Sequence, residues 1–116
     1  MTDTNETMEA FKHYVENALN GSKNVLKNFK EKLNVDAYDA FKWGDNAMEA
    51  AAKLYVYTIV KDRLLEDFTL QEIIGISMRE SLRLSREVPK SSSVLDNLMH
   101  QQIAAIWCNL YCDWKK

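Results

Sequence analysis

Almost everywhere along this chain, apolar residues recur at steps of three or four positions, and only three glycines and one proline interrupt the pattern. That spacing gathers side chains on one face of a helix, whereas a half-buried strand needs alternation. The fold expected is therefore all-α, helices joined by short turns. A chain of 116 residues, 47% hydrophobic and 28% charged, suffices for one helical domain spanning 1–116. A core of that size needs neither disulfide nor metal.

The helices follow from their start and stop signals. Asp3, with Glu6 reaching back, opens a first helix carrying Met8, Phe11, Val15, Ala18 and Leu19, and Asn20-Gly21 ends it. Ser22 caps a second that buries Val25, Leu26, Phe29 and Leu33 and closes at Asn34. Asp36 caps a short piece holding Tyr38, Phe41 and Trp43. Gly44-Asp45 supplies a break and a fresh cap for a long helix reaching Glu66, apolar over more than half its circumference and hence central. Thr69-Leu70-Gln71-Glu72 matches a capping box, so a helix runs from there to about Glu87, stopped by Pro89. Lys90 to Ser93 is a linker, one of whose serines caps the last helix, Val94 to Trp114, apolar nearly all round and so buried. The expected architecture is a compact bundle of about five helices, the long helix and the C-terminal helix at its centre.

Fifteen basic and seventeen acidic residues leave a formal charge of -2, which gives no global pull toward nucleic acid or membrane. The N-terminal stretch MTDTNETMEA carries acids where a secretory signal carries bases, so the expected location is the cytoplasm. The longest charge-free stretch, Asn97 to Cys112, is interrupted by polar residues and short for a bilayer, so no membrane association is expected. Cys108 and Cys112 share a helix face without the convergence a disulfide needs, and read as reduced core thiols.

Two basic stripes have the same spacing: Lys23, Lys27 and Lys30, and Arg79, Arg83 and Arg86. Each trio falls within an arc of roughly 60° on its helix. They are candidate phosphate-binding residues of a nucleic-acid regulator, although Glu80 and Glu87 lie at pairing distance from the arginines, as on a solvated outer face. Gly75-Ile76-Ser77 imitates the turn of a helix-turn-helix, but too few residues precede it for a complete first helix, so the glycine is placed inside one continuous helix. Ser77, Ser81 and Ser85 line that helix's apolar side, where small side chains admit a neighbour. The helical phase sets Asp62 among Met48, Ala51, Tyr55 and Leu65, which predicts a buried, paired carboxylate.

Carboxylates are paired as Glu6 with Glu9 and Asp36 with Asp39. Such i, i+3 pairs resemble those with which all-α nucleotide pyrophosphohydrolases hold magnesium on facing helices. That family has further acids and a glutamate-led second pair; here both pairs start helices, where acids satisfy the dipole. The hydrolase reading, which ranks third, requires the four carboxylates to converge. His13, His100, Cys108 and Cys112 lack the paired-ligand spacing of a zinc site, and no phosphate loop or nucleophile motif is present. Neither metal nor cofactor is expected.

His100, Trp107, Tyr111 and Trp114 fall within an arc of about 60° on the last helix, beside a second apolar face formed by Leu95, Met99, Ile103, Ile106 and Leu110. A small bundle has difficulty burying both faces, and Trp and Tyr dominate interface hot spots. These four residues are the expected partner-binding site, for an unidentified protein partner or a second copy of the chain; if Trp107 and Trp114 are instead enclosed, the stripe is core. The function expected is a non-catalytic protein-binding module, similar in general character to small phage inhibitors that block a host defence complex. The alternative is the nucleic-acid regulator.

Overall fold

In the computed structural model, which describes residues 5–87 and 94–115, the chain is a bundle of helices in the order α1 (Asn5–Val35), α2 (Ala37–Phe41), α3 (Gly44–Leu65), α4 (Leu70–Arg86) and α5 (Val94–Trp114). The expected cap at Asp3, the stop at Pro89 and the serine linker lie outside the described residues. The principal packings form a series: α2 on α1, α1 on α3, α3 on α5, and α5 on α4. The bundle is elongated, 51 × 31 × 21 Å, with a radius of gyration of 15.8 Å, above the roughly 13 Å typical of this length.

The local signals act where the sequence places them at three of the junctions. Asp36 caps α2, its Oδ1 accepting from the Asp39 amide at 3.1 Å. The capping box at α4 is complete: Thr69 Oγ1 accepts from the Glu72 amide at 3.1 Å, and the Thr69 amide donates to Glu72 Oε1 at 2.9 Å. Helix α3 ends in a Schellman turn, in which the Phe68 amide donates to Arg63 O and the Asp67 amide to Leu64 O, both at 3.1 Å. Asp67 takes the left-handed position, φ 64.

Three expectations are corrected. The two helices expected between Asp3 and Asn34 are one: α1 runs through Asn20-Gly21 without a break, and Ser22 is buried instead of capping. The physical reason is that Val15, Leu19, Ser22, Leu26 and Phe29 keep the three-to-four spacing across the glycine. The packing they gain against α3 outweighs the roughly 1 kcal/mol that an interior glycine costs. Helix α3 starts one residue early, at Gly44, with no side-chain cap, and Asp45 serves as a first-turn acid. Asp62 is exposed, as are Tyr55 and Leu65 of the same phase. The buried side of α3 is the opposite one, Ala52, Val56, Tyr57 and Val60; a helix this apolar all round does not reveal its inward face by periodicity.

The core draws on four helices. Phe11, Val15 and Leu19 of α1 meet Ala52, Val56, Tyr57 and Val60 of α3, Leu70 and Ile73 of α4, and Ile106, Trp107 and Leu110 of α5. Gly75 lies inside α4, and Ser77 is buried with its hydroxyl donating to Ile73 O at 2.9 Å. Beyond Leu19 on α1 and before Ala52 on α3 no residue joins this cluster. In that half of the molecule Leu33, Val35, Tyr38 and Trp43 are exposed.

Candidate functional site

The aromatic stripe of α5 is turned inward. Trp107 is 2% exposed and belongs to the core. Trp114 is half-buried against α1, its ring edge-on to Phe11 at 4.9 Å and to Tyr14 at 5.5 Å. His100 Nε2 lies 2.7 Å from Leu84 O, so this nitrogen carries the proton and ties α5 to the end of α4. Tyr111 is half-buried under Lys115 Nζ, 5.0 Å above its ring. The stripe therefore holds α5 on the bundle, and Trp107 presents no surface to a partner. A small bundle buries both faces of this helix because α3 and α4 flank it on two sides.

The basic stripes are outward faces. Arg79, Arg83 and Arg86 are exposed and lie about 145° around α4 from Leu70, Ile73 and Ser77. Arg83 binds Glu80 at 2.6 Å and Glu87 at 2.8 Å, and these two carboxylates hold its guanidinium above the usual range. Lys23, Lys27 and Lys30 are exposed and make no ion pair among the described residues. The two stripes sit on helices that are not principal packing neighbours.

The carboxylate pairs do not converge. Glu6 and Glu9 are at the start of α1 and Asp36 and Asp39 beyond its end, separated by a 31-residue helix, roughly 45 Å. Glu9 pairs with Lys12 at 3.8 Å and Asp39 with Lys32 at 3.3 Å. Among the described residues no group of three metal-ligating side chains gathers. No helix there is long and apolar enough to cross a membrane. Cys108 and Cys112 are free but exposed, not core: they face away from Ile106 and Leu110, and the hydrogen bond that the Cys108 thiol donates to Cys112 Sγ, with some burial, raises the Cys108 pKa.

What the sequence reading missed is a groove of about 710 Å³ between the second half of α1 and the first half of α3. Tyr14, Ala18, Gly21 and Val25 line one wall, and Trp43, Ala50 and Tyr57 the other. Its charged lining groups are satisfied within the chain: Lys53 pairs with Glu49 at 3.1 Å, and Lys32 pairs with Asp39 while its Nζ sits 5.2 Å over the Trp43 ring. The amides of Asn17, Asn28 and Asn46 are exposed at the groove without a partner among the described residues. Ser22, 4% exposed, lines the groove as well, and its hydroxyl makes no hydrogen bond there. These amides and the Ser22 hydroxyl are groups with which a docked polypeptide can form hydrogen bonds. The lysine stripe of α1 lies about 180° around the helix from this wall. No family model, curated protein or solved structure matches this chain.

Proposed function

We propose that this chain is a non-catalytic protein-binding module, and that the groove between α1 and α3 is where it takes hold of a helix of another polypeptide. The observation that carries this reading is the composition of the groove: aromatic and small apolar walls, amides without a partner among the described residues, and no unpaired charge among its lining groups. Apolar burial supplies affinity and a few placed polar groups supply specificity. Phosphate binding would need the reverse, a positive groove. The finer part of the proposal is that the module works by occupancy, as a small inhibitor of a larger machine does. Two exposed free thiols suit a reducing compartment such as the cytoplasm.

The test is a photoreactive residue at Val25, inside the groove, against one at Lys27 on the opposite face, both in purified protein and in cells. The reading expects a polypeptide adduct from Val25 that Lys27 does not give and that Gly21→Leu abolishes. Equal adducts from both positions, or none from Val25, would sink it.

One observation favours a second reading, nucleic-acid binding: the lysines of the α1 stripe are exposed and unpaired. Binding through three phosphate contacts falls steeply with salt, whereas groove docking hardly responds, so a salt titration separates the two.

A further inference from the structure

We propose that the helix received by the groove is α5 of a second copy of this chain, so that two copies form a reciprocal two-fold dimer; this rests on the groove being the docking surface.

The argument starts from spacing. Tyr14, Ala18, Gly21, Val25, Asn28 and Lys32 form one line along the groove and Trp43, Asn46, Ala50, Lys53 and Tyr57 another, flanked by Asn17, Ser22, Phe29 and Glu49. Both alternate steps of three and four, the seven-residue repeat with which one helix receives another. On α1, Tyr14, Ala18, Gly21, Val25 and Asn28 each directly precede a member of the inward series Val15, Leu19, Ser22, Leu26 and Phe29. Consecutive residues point about 100° apart, so α1 offers two adjacent seams, as each helix of a three-helix bundle does. One seam packs on α3; the other is vacant.

The vacancy continues the seat of α5. Helix α5 packs on α3 and ends at Trp114, whose ring stands on Tyr14. Tyr14 and Tyr57 are also where the groove begins. Helix α5 thus ends against α1 at Tyr14, and the groove opens beyond that point along α1 and α3. A ridge and an empty groove lying end to end are complementary to themselves under a two-fold axis near Trp114. Each ridge then enters the other copy's groove, and the contact closes at two chains.

The chain carries a seam of matching register to enter it. Leu98, Gln101, Ala105, Cys108 and Cys112 are all exposed on the outer side of α5, with the same steps and the same length as Trp43 to Tyr57. The seam has no charge. The other outward faces do: the lysine stripe on α1, Asp62 on α3 and the arginine stripe on α4, and burying such charges unpaired is costly. Under that axis the small side chains of Cys108 and Ala105 fall opposite Ala18 and Gly21, and Leu98, roughly 24 Å from Trp114, falls at the Trp43 end of the groove. Gln101 brings a neutral amide to a site whose own amides at Asn28 and Asn46 are unbonded, and a polar residue at such a position fixes register.

Two variants test this without touching the core. Gly21→Leu fills the groove from a position with nothing within 4 Å of the added carbon, and Ala105→Glu puts a charge on the α5 seam. Sedimentation equilibrium up to about 100 µM should find a wild-type dimer, weakened about tenfold or more by either variant alone, with helical circular dichroism retained in both. Mixing the two variants restores one intact groove-to-ridge contact, so the mixture should associate more strongly than either variant by itself. A wild-type monomer throughout that range overturns the dimer, and the Val25 adduct still decides the groove separately. If Gly21→Leu alone weakens association, groove meets groove; if Ala105→Glu alone does, ridge meets ridge. Either result overturns the reciprocal arrangement.

Discussion

The hydroxyl of Tyr57 donates to that of Tyr14 at 3.1 Å, and this bond from α3 to α1 marks the line at which the closed core gives way to the open groove. Tyr57 is 4% exposed and Tyr14 39%. Their rings meet edge to face at 5.8 Å, and Trp114 stands on the far side of Tyr14. Three helices are therefore joined at one aromatic junction, and any occupant of the groove rests against it.

The junction sets an alkaline limit on stability. Burial, reinforced by the hydrogen bond and charge of Tyr14, raises the Tyr57 pKa above the usual tyrosine range. A raised folded pKa means that the neutral phenol stabilises the fold fully below the unfolded value, about 10, and that this stability drains away as pH rises beyond it. Urea unfolding between about pH 8 and pH 11 should show wild-type stability falling with pH, and Tyr57→Phe should flatten that slope. At neutral pH the same variant should cost about 0.5 to 1.5 kcal/mol, the net worth of one hydrogen bond. A slope unchanged by the substitution would place the titrating group elsewhere.

Gly21 distinguishes a continuous α1 from two helices. It sits in mid-helix, no glycine has positive φ among the described residues, and an added Cβ meets nothing within 4 Å. Gly21→Ala should then stabilise the protein by about 0.5 to 1 kcal/mol. Were the chain to turn at Asn20-Gly21, the same change would destabilise it, so the sign of the shift in thermal midpoint is the measurement.

Asp67 is a compatible site of the opposite kind. It occupies the left-handed position that closes α3, with φ 64, where a side chain costs about 1 kcal/mol that glycine avoids. Asp67→Gly should raise stability by roughly 0.5 to 1 kcal/mol, and Asp67→Val, β-branched, should lower it. Chemical denaturation of the pair reads both signs.

The fold was legible wherever the signal is local. Thr69 with Glu72, Asp36 with Asp39, and the apolar run from Val94 to Trp114 each specify their element through neighbours in sequence. Asn20-Gly21 misled because a glycine stops a helix only when nothing beyond it is worth packing, and Leu26 and Phe29 lie beyond. Asp62 and Trp107 exchanged their expected places for one reason: α3 and α5 are apolar on nearly every side, so only the tertiary arrangement decides which side is inside. The groove was hidden because Gly21, Asn28 and Lys32 of its α1 wall are too small or too polar to register as a hydrophobic face, while Ala18 and Val25 read as part of the buried faces beside them. Its one sequence trace is the seven-residue spacing shared by Tyr14 to Lys32 and Trp43 to Tyr57.

Trp107 and Trp43 carry the last prediction, because they separate core from interface with one residue type. Trp107, 2% exposed, belongs to the core cluster that also holds Val56, Ile73 and Leu110, and truncating such a residue leaves a cavity costing about 3 to 5 kcal/mol. Trp107→Ala should lose most of the protein's stability and, through that, any association. Trp43 is 46% exposed at the mouth of the groove, under the Lys32 ammonium. Trp43→Ala should change stability by about 1 kcal/mol or less yet weaken docking by about 2 kcal/mol, as a truncated hot spot does. Fluorescence reads the difference directly. An indole half in water emits to the red, so raising the protein concentration, or adding the polypeptide that occupies the groove, should shift the emission blue. Trp43→Phe should remove most of that shift with the fold intact. A blue shift undiminished by Trp43→Phe would assign docking to another face, since Trp107 is already enclosed and Trp114, edge-on to Phe11 and Tyr14, is half-buried before docking.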